Sequence, residues 1–149
     1  NIPRRYANAV FKLGLDSIRS LSTAAKQHMM LLPLVYDTTL SSYSALVKGG
    51  PMGGHGNPNL RDAQAIKDAT MAHFILQNHI PGFLFLHFNG NYHSDEYQSI
   101  HYFLKREKPA LKIVTISTIT QPETEPLEKA HKGKADFMIV VPENMTTTY

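Results

Sequence analysis

The stretch from Gly90 to His101, "GNYHSDEYQSIH", concentrates side chains that can bind a metal or haem iron. His93 and His101 are potential metal ligands or general bases, and Tyr92 and Tyr97 carry hydroxyls that can bind ferric iron as phenolates. Tyr97 and His101 are four residues apart, so a helix would place them on one face. The same residues are also typical of a polar turn in which His93 makes only a hydrogen bond.

An apolar run precedes this stretch and is predicted to form a β-strand. The residues Gly82–Phe88, "GFLFLHF", are nearly all apolar, which is typical of a short strand covered on both faces. His87 lies within the run, and we assign it to the packed interior. Ligands of open α/β sheets bind beyond the carboxyl ends of the strands, and Asn89 to His93 would lie there.

A helix is predicted to follow, from Asp95 to about Lys105, with Ser94 as its N-cap. The free N–H groups at the start of a helix favour anionic ligands, and Gly90 permits a close backbone approach. The turn from Gly90 to His93 is therefore the best-placed candidate site in the chain.

A second pair of polar residues lies on the longest predicted helix, Leu60–Gln77, which Asn59 is predicted to cap. Gln64 and Asp68 are in line with apolar residues further along the same face, so both are predicted to point inward and to shape a polar pocket. The alternative is that Asp68 pairs with Lys67 in solvent.

The glycine-rich stretch from Gly49 to Pro58, "GGPMGGHGNP", is predicted to be a mobile loop, because five glycines and two prolines in ten residues leave no core to pack. His55 lies at its tip. It is a candidate ligand of a metal or haem, or simply a polar loop residue.

The order of predicted elements indicates an α/β fold. Two further strands are predicted over residues 111–119 and 136–142, so the chain runs helices, strand, helix, strand, loop, strand. This order favours a parallel or mostly parallel sheet flanked by helices. Three strands make a small sheet, and the chain enters its first helix directly after Asn1-Ile2-Pro3 without a Met. We therefore expect a single domain or the C-terminal portion of a larger fold.

Composition excludes several classes of site. The 149 residues carry a net charge of +3 with scattered basic residues, which argues against nucleic acid as a partner. The chain has no cysteine, so disulfides, zinc–thiolate sites and thiol catalysis are excluded. No apolar run reaches the ~20 residues of a membrane span, and no signal peptide is present. Walker, dinucleotide-binding, zincin and serine-hydrolase motifs are also absent.

Several spaced motifs together resemble the ChaN-like haem-binding lipoproteins, which belong to a superfamily with Tiki proteases and erythromycin-esterase-like proteins. The motifs are the opening "NIPRRYANAV", the helix "NLRDAQAIKDATMAHFI", the segment "FLHFNGNYHSDEYQSI" and the closing "ADFMIVVPENMTTTY". The superfamily element G-x-x-H matches Gly90 to His93. The helix pattern A-Q-x-x-x-D-x-x-M-A matches Gln64 and Asp68, and a loop histidine before that helix corresponds to His55.

The resemblance implies a function in the bacterial envelope. Members of the family are iron-regulated lipoproteins, and haem is held at a homodimer interface by Tyr and His side chains. It also implies an N-terminal half, with a Gly-Glu/His element and a lipid-bearing cysteine, that this sequence does not contain. The implied partners are haem, a second copy of the chain and that N-terminal part.

Three functional hypotheses follow. The first is a haem-binding protein of iron or haem uptake or storage, without turnover, in which some combination of His93, Tyr97 and His55 binds haem, with Tyr92 and His101 as further candidates. The second is a hydrolase that cleaves peptides or esters with a divalent metal instead of haem. The third is an α/β scaffold without either cofactor.

Overall fold

The computed structural model describes residues 1–30, 32–48 and 57–146. Within them the chain forms five α-helices followed by two β-strands, with short 3-10 turns between, and this confirms the α/β class. The elements are α1 (Arg4–Leu13), α2 (Thr23–Lys26), α3 (Ser41–Val47), α4 (Pro58–Asn78), α5 (Ile100–Glu107), β1 (Ile116–Gln121) and β2 (Phe137–Pro142). The predicted loop falls mainly on residues 49–56, outside the described residues.

Helix α4 is the central element, and its sequence explains where it starts. Pro58 occupies the first turn, where its missing N–H is not needed, and the Asn57 side chain accepts a hydrogen bond from the Asn59 amide. The cap is therefore Asn57 and not Asn59, which lies inside the helix. Alanines on its buried faces let α1, α3 and α5 pack against it closely.

The hydrophobic core lies where these helices meet. Its fully buried side chains come from α1, α3, α4 and α5 and from the turn after α1, and they include Val10, Ile18, Tyr43, Ile66 and Phe103. Burying each large apolar side chain contributes about 1.5–3 kcal/mol. The helical part of the chain is therefore the main source of stability among the described residues.

The two strands pair in parallel, as predicted, with Ile116 opposite Phe137. The first strand begins at Ile116, five residues later than the predicted start. The buried Gln121 side chain organises the connection after β1, because its amide donates to the Pro126 carbonyl at 3.0 Å and accepts from the Glu128 amide at 3.2 Å.

The predicted strand Gly82–Phe88 is not part of this sheet, and that prediction was wrong. The segment is extended but has no strand partner among the described residues, and Leu84 and Phe88 are 91% and 85% exposed. A strand exists only through its neighbours' hydrogen bonds, and the apolar pattern does not supply a neighbour. His87 is accordingly exposed, not buried in a core.

The predicted helix from Asp95 was also placed too early. Helix α5 starts at Ile100, and residues 91–97 form two 3-10 turns in which the Ser94 side chain caps no helix. Tertiary contacts explain the difference. The Glu96 amide donates to the Lys134 carbonyl at 2.8 Å, and the Asp95 carboxylate accepts from the Ser117 hydroxyl at 2.9 Å.

These contacts hold the backbone in an unusual conformation. Glu96, Tyr97 and Ser99 have φ angles of 58°, 59° and 53°, in the left-handed region that non-glycine residues rarely adopt. A continuous helix from residue 95 is incompatible with these angles. The N-terminus of the predicted helix therefore does not lie beside the turn from Gly90 to His93.

Candidate functional site

A buried carboxylate joins two functional side chains at the centre of the chain. Asp68 on α4 is completely buried, and its Oδ1 lies in short contact with Nδ1 of His93, from the 3-10 turn Asn91–His93. Its Oδ2 accepts a hydrogen bond from the Tyr43 hydroxyl of α3 at 2.9 Å. Three separate elements thus meet at one carboxylate.

This arrangement determines which nitrogen of His93 is free. The neutral imidazole carries one proton, and the close contact with Asp68 fixes it on Nδ1. The lone pair then resides on Nε2, which makes no hydrogen bond to any described residue, and the His93 side chain is 22% exposed. A histidine oriented by a carboxylate in this way is the usual state of a metal-ligating histidine.

Burial has the largest effect on the pKa values of Asp68 and Tyr43, the two side chains bonded next to His93. It raises the pKa of Asp68 above the ordinary value, and the hydrogen bonds from His93 and Tyr43 oppose that rise. Burial also raises the pKa of Tyr43, with a further contribution from the Asp68 charge. Tyr43 is therefore a neutral hydrogen-bond donor to the carboxylate and is not available as a phenolate ligand.

Gln64 and Lys67 extend the site along α4. Gln64 is buried like Asp68, so both point inward as their helical spacing predicts. Nε2 of Gln64 lies 3.1 Å from Nδ1 of His93, and the Lys67 ammonium donates to Oε1 of Gln64 at 3.4 Å. The single Nδ1 proton is directed at Asp68, so the Gln64 amide makes only a packing contact with the ring. Its hydrogen bond with Lys67 holds the ammonium near the ring.

Tyr92 and Gly90 lie beside His93 but have other contacts. The Tyr92 hydroxyl donates to the Ser42 carbonyl, and burial, followed by the Asp68 charge, raises its pKa. Gly90 has an ordinary φ of −69°, and among the described residues a Cβ added there would meet nothing within 4 Å. No described part of the chain therefore requires glycine at this position, and its role beside a ligand stays a prediction.

Tyr97 and His101 form a separate cluster near the starts of the strands. The Asp136 carboxylate accepts hydrogen bonds from the Tyr97 hydroxyl at 3.2 Å and from the Thr115 amide at 2.7 Å. The Tyr97 ring packs edge-on against that of His101, with 5.4 Å between the ring centroids. Desolvation and the Asp136 charge raise the pKa of Tyr97, which disfavours a phenolate. Among the described residues no hydrogen bond joins this cluster to His93, and a ligand shared by Tyr97 and His93 stays a prediction.

The remaining predicted ligand, His55, lies outside the described residues. Within the described part of the chain, no group of three or more histidine and acidic side chains is arranged to hold a metal ion. The described structure therefore singles out His93 among the predicted ligand residues as the one with an anchored ring and a free nitrogen.

Tyr43 is a residue of the site that was not predicted from the sequence. In "SSYSALV" it lies three positions before Leu46, a spacing typical of an ordinary core residue, and both side chains are indeed buried. Only its long-range bond to Asp68 reveals a role in the site. A buried tyrosine needs a partner for its hydroxyl, and that requirement was the signal available from the sequence.

The raised pKa of Asp68 gives the stability of the protein a specific pH dependence. The native state holds this proton more tightly than the unfolded chain, whose carboxyl titrates near 3.8. The extra stability of the native state is therefore fully present below about pH 3.8 and is lost as the pH rises through the native pKa of Asp68. Urea denaturation should show that the free energy of unfolding of the wild type falls, relative to that of Asp68→Asn, as the pH rises above about 4. A difference that stays constant as the pH rises would contradict the expected direction.

Comparison with known proteins identifies the family. A family described as "Haem-binding uptake, Tiki superfamily, ChaN" matches residues 1–104, which include Tyr43, Asp68 and His93 but not the two strands. No curated protein and no solved structure matches the chain. No helix in the described part is long and apolar enough to cross a membrane. Since the match covers more than half of the chain, this protein belongs to the ChaN family of haem-binding uptake proteins in the Tiki superfamily.

Proposed function

We propose that this protein binds haem and that Nε2 of His93 is a ligand of the haem iron. The observation that carries the proposal is the buried carboxylate of Asp68, which fixes the proton of His93 on Nδ1. Imidazole nitrogen is a common protein ligand of iron in haem. The family described as haem-binding uptake supports the same cofactor.

His93 is better suited to bind a haem iron than the tyrosines near it or in the neighbouring cluster. The hydroxyls of Tyr43, Tyr92 and Tyr97 all donate to protein oxygens, and the pKa of each is raised. A phenolate ligand must lose its proton, so these environments disfavour tyrosine ligation. His93 needs no proton loss at Nε2.

Each residue of the site has a distinct role in holding the cofactor. Haem, when bound, supplies an iron centre that accepts a nitrogen donor. Asp68 accepts the Nδ1 proton and keeps the imidazole in one tautomer, and Tyr43 holds the carboxylate in place by donating to its second oxygen. Among the described residues nothing would lie within 4 Å of a Cβ added at Gly90, so this part of the chain leaves room next to the His93 turn.

The proposal includes a biological setting. We place the protein in haem or iron uptake or storage at the bacterial envelope, as a lipoprotein that binds haem as a homodimer. The uptake description of the family supports the envelope role. Exposed apolar side chains on the sheet, among them Ile116 and Phe137, support association with a further protein surface.

A hemin titration followed at the Soret band tests the haem site. We expect a saturable shift with the wild type and a loss of about 10- to 100-fold in affinity with His93→Ala, because the iron loses its nitrogen ligand. His101→Ala is the matched control and should titrate like the wild type, since His101 belongs to the other cluster. An unchanged titration of His93→Ala would refute the assignment.

Hydrolysis is the second candidate function, and the same pair of side chains favours it. A histidine with Nδ1 on a buried carboxylate and a free Nε2 has the arrangement of a general base. A metal-dependent peptidase or esterase would show cleavage that both a chelator and His93→Ala abolish. Cleavage that survives His93→Ala would exclude this site as its source.

A further inference from the structure

Lys67 is a cation at the edge of the His93 site whose charge is not neutralised there. Its side chain is half-buried, its ammonium bonds the neutral Gln64 amide at 3.4 Å, and no described carboxylate lies within 4 Å of it. The Gln64 amide in turn contacts the His93 ring at 3.1 Å. The ammonium is thus held near His93 without a counter-ion from the described chain.

The other cation on the same helix is differently placed. The Arg61 guanidinium donates to the Tyr36 hydroxyl at 3.1 Å and lies 3.7 Å from the Asp62 carboxylate. Arg61 is therefore engaged in an intramolecular cluster. Lys67, which directly precedes the buried Asp68 in the sequence, is the α4 cation that remains available to an external anion.

Lys67 is also close to the buried pair. Asp68 is adjacent to it in sequence, and the Gln64 amide contacts both the Lys67 ammonium and Nδ1 of His93. An anion bound by Lys67 would therefore lie close to the group that orients His93. A ligand that binds to both Nε2 of His93 and the Lys67 ammonium would combine a metal centre with a negative charge at its periphery.

Resting on the proposed function, we propose that Lys67 binds a propionate carboxylate of the haem whose iron His93 holds, and so selects porphyrins with free carboxylic acids. The two propionates project from one edge of the macrocycle, away from the iron. An ammonium on a flexible four-carbon stem, held beside the ligand histidine, can reach such a group. Lys67 is then a specificity-determining residue and takes no part in iron ligation.

Comparison of two ligands with two variants tests this role. Hemin has free propionates, whereas hemin dimethyl ester has none, and Lys67→Gln removes the ammonium but keeps a long polar side chain. Lys12→Gln, on the exposed end of α1, removes the same charge from a side chain that has no hydrogen bond or ion pair to a described residue, and it is the control for net charge. Each ligand is titrated into the wild type and into both variants, six combinations in all, and followed at the Soret band, with the salt dependence of each affinity.

We expect Lys67→Gln to weaken hemin binding by about tenfold, as the loss of a charge-assisted hydrogen bond predicts. The ester should bind Lys67→Gln and the wild type equally. Hemin affinity of the wild type should also fall more steeply with salt than that of Lys67→Gln. Lys12→Gln should match the wild type with both ligands.

The outcomes separate this inference from the proposed function. Equal loss of hemin and ester affinity in Lys67→Gln would overturn the propionate assignment, because the ester lacks the carboxylate. Unchanged hemin binding in Lys67→Gln, with binding that still depends on His93, would overturn it as well and leave the haem site intact. Hemin binding that does not depend on His93 would overturn the proposed function.

Discussion

Asp68→Asn should weaken hemin binding by about 10- to 100-fold while the protein stays folded. The asparagine oxygen can still accept the Tyr43 hydroxyl, but its amide group would direct hydrogens at Nδ1 of His93. The imidazole proton must then move to Nε2, and the lone pair needed by iron is lost from that nitrogen. The variant changes the tautomer of the ligand without removing the ligand itself.

Asp62→Asn is the matched control, because Asp62 is also on α4 and also accepts a bond from a tyrosine, Tyr36. It does not contact His93, so its hemin affinity should equal that of the wild type. Asp68→Asn should keep its stability at neutral pH, since the burial penalty on the charge disappears with the charge. Wild-type hemin affinity in Asp68→Asn would show that Asp68 does not position the ligand.

The largest stability effect is expected for Phe103→Ala. Phe103 on α5 is 2% exposed and belongs to the core between the helices. Removing its ring leaves a cavity that α4 and its neighbours can fill only in part, so the free energy of unfolding should fall by about 3–5 kcal/mol. Urea denaturation followed by far-UV circular dichroism measures this loss.

Phe88→Ala provides a comparison with the same change in chemistry. Phe88 is 85% exposed, so the substitution removes little buried area and should cost less than about 0.5 kcal/mol. Equal costs at the two positions would mean that the segment around Phe88 is packed as firmly as the helical core. The pair of variants therefore tests the exposure of this segment directly.

Helix α4 shows what the sequence predicts well. Its alanine-rich pattern is periodic, and the inward direction of Gln64 and Asp68 follows from their spacing from Met71 and Ile75. Helical geometry is local, so four residues in line on one face suffice. The parallel pairing of β1 and β2 was predicted from the order of the elements and not from the residues of the strands, because β1, "ISTITQ", is mainly polar.

The contacts that organise the site are long-range, and the sequence does not specify them. The helix predicted from Asp95 is interrupted between residues 95 and 99, where Asp95 and Glu96 bond to residues far along the chain. The bond from Tyr43 to Asp68 spans 25 residues, and no spacing rule pairs a side chain on one helix with a carboxylate on another. Residue types identified candidate ligands, whereas tertiary packing decided which of them has a free donor atom.

The exposure of residues 83–88 has a consequence for the solubility of the polypeptide. "FLFLHF" combines high β-propensity with the absence of charge and proline, which is the signature of segments that assemble into stacked intermolecular sheets. Pro81-Gly82 and Asn89-Gly90 limit it on either side, since such residues interrupt the stacking of strands. We therefore expect these six residues to limit the concentration that this protein can reach in solution before it aggregates. Their effect should exceed that of the net charge of the chain.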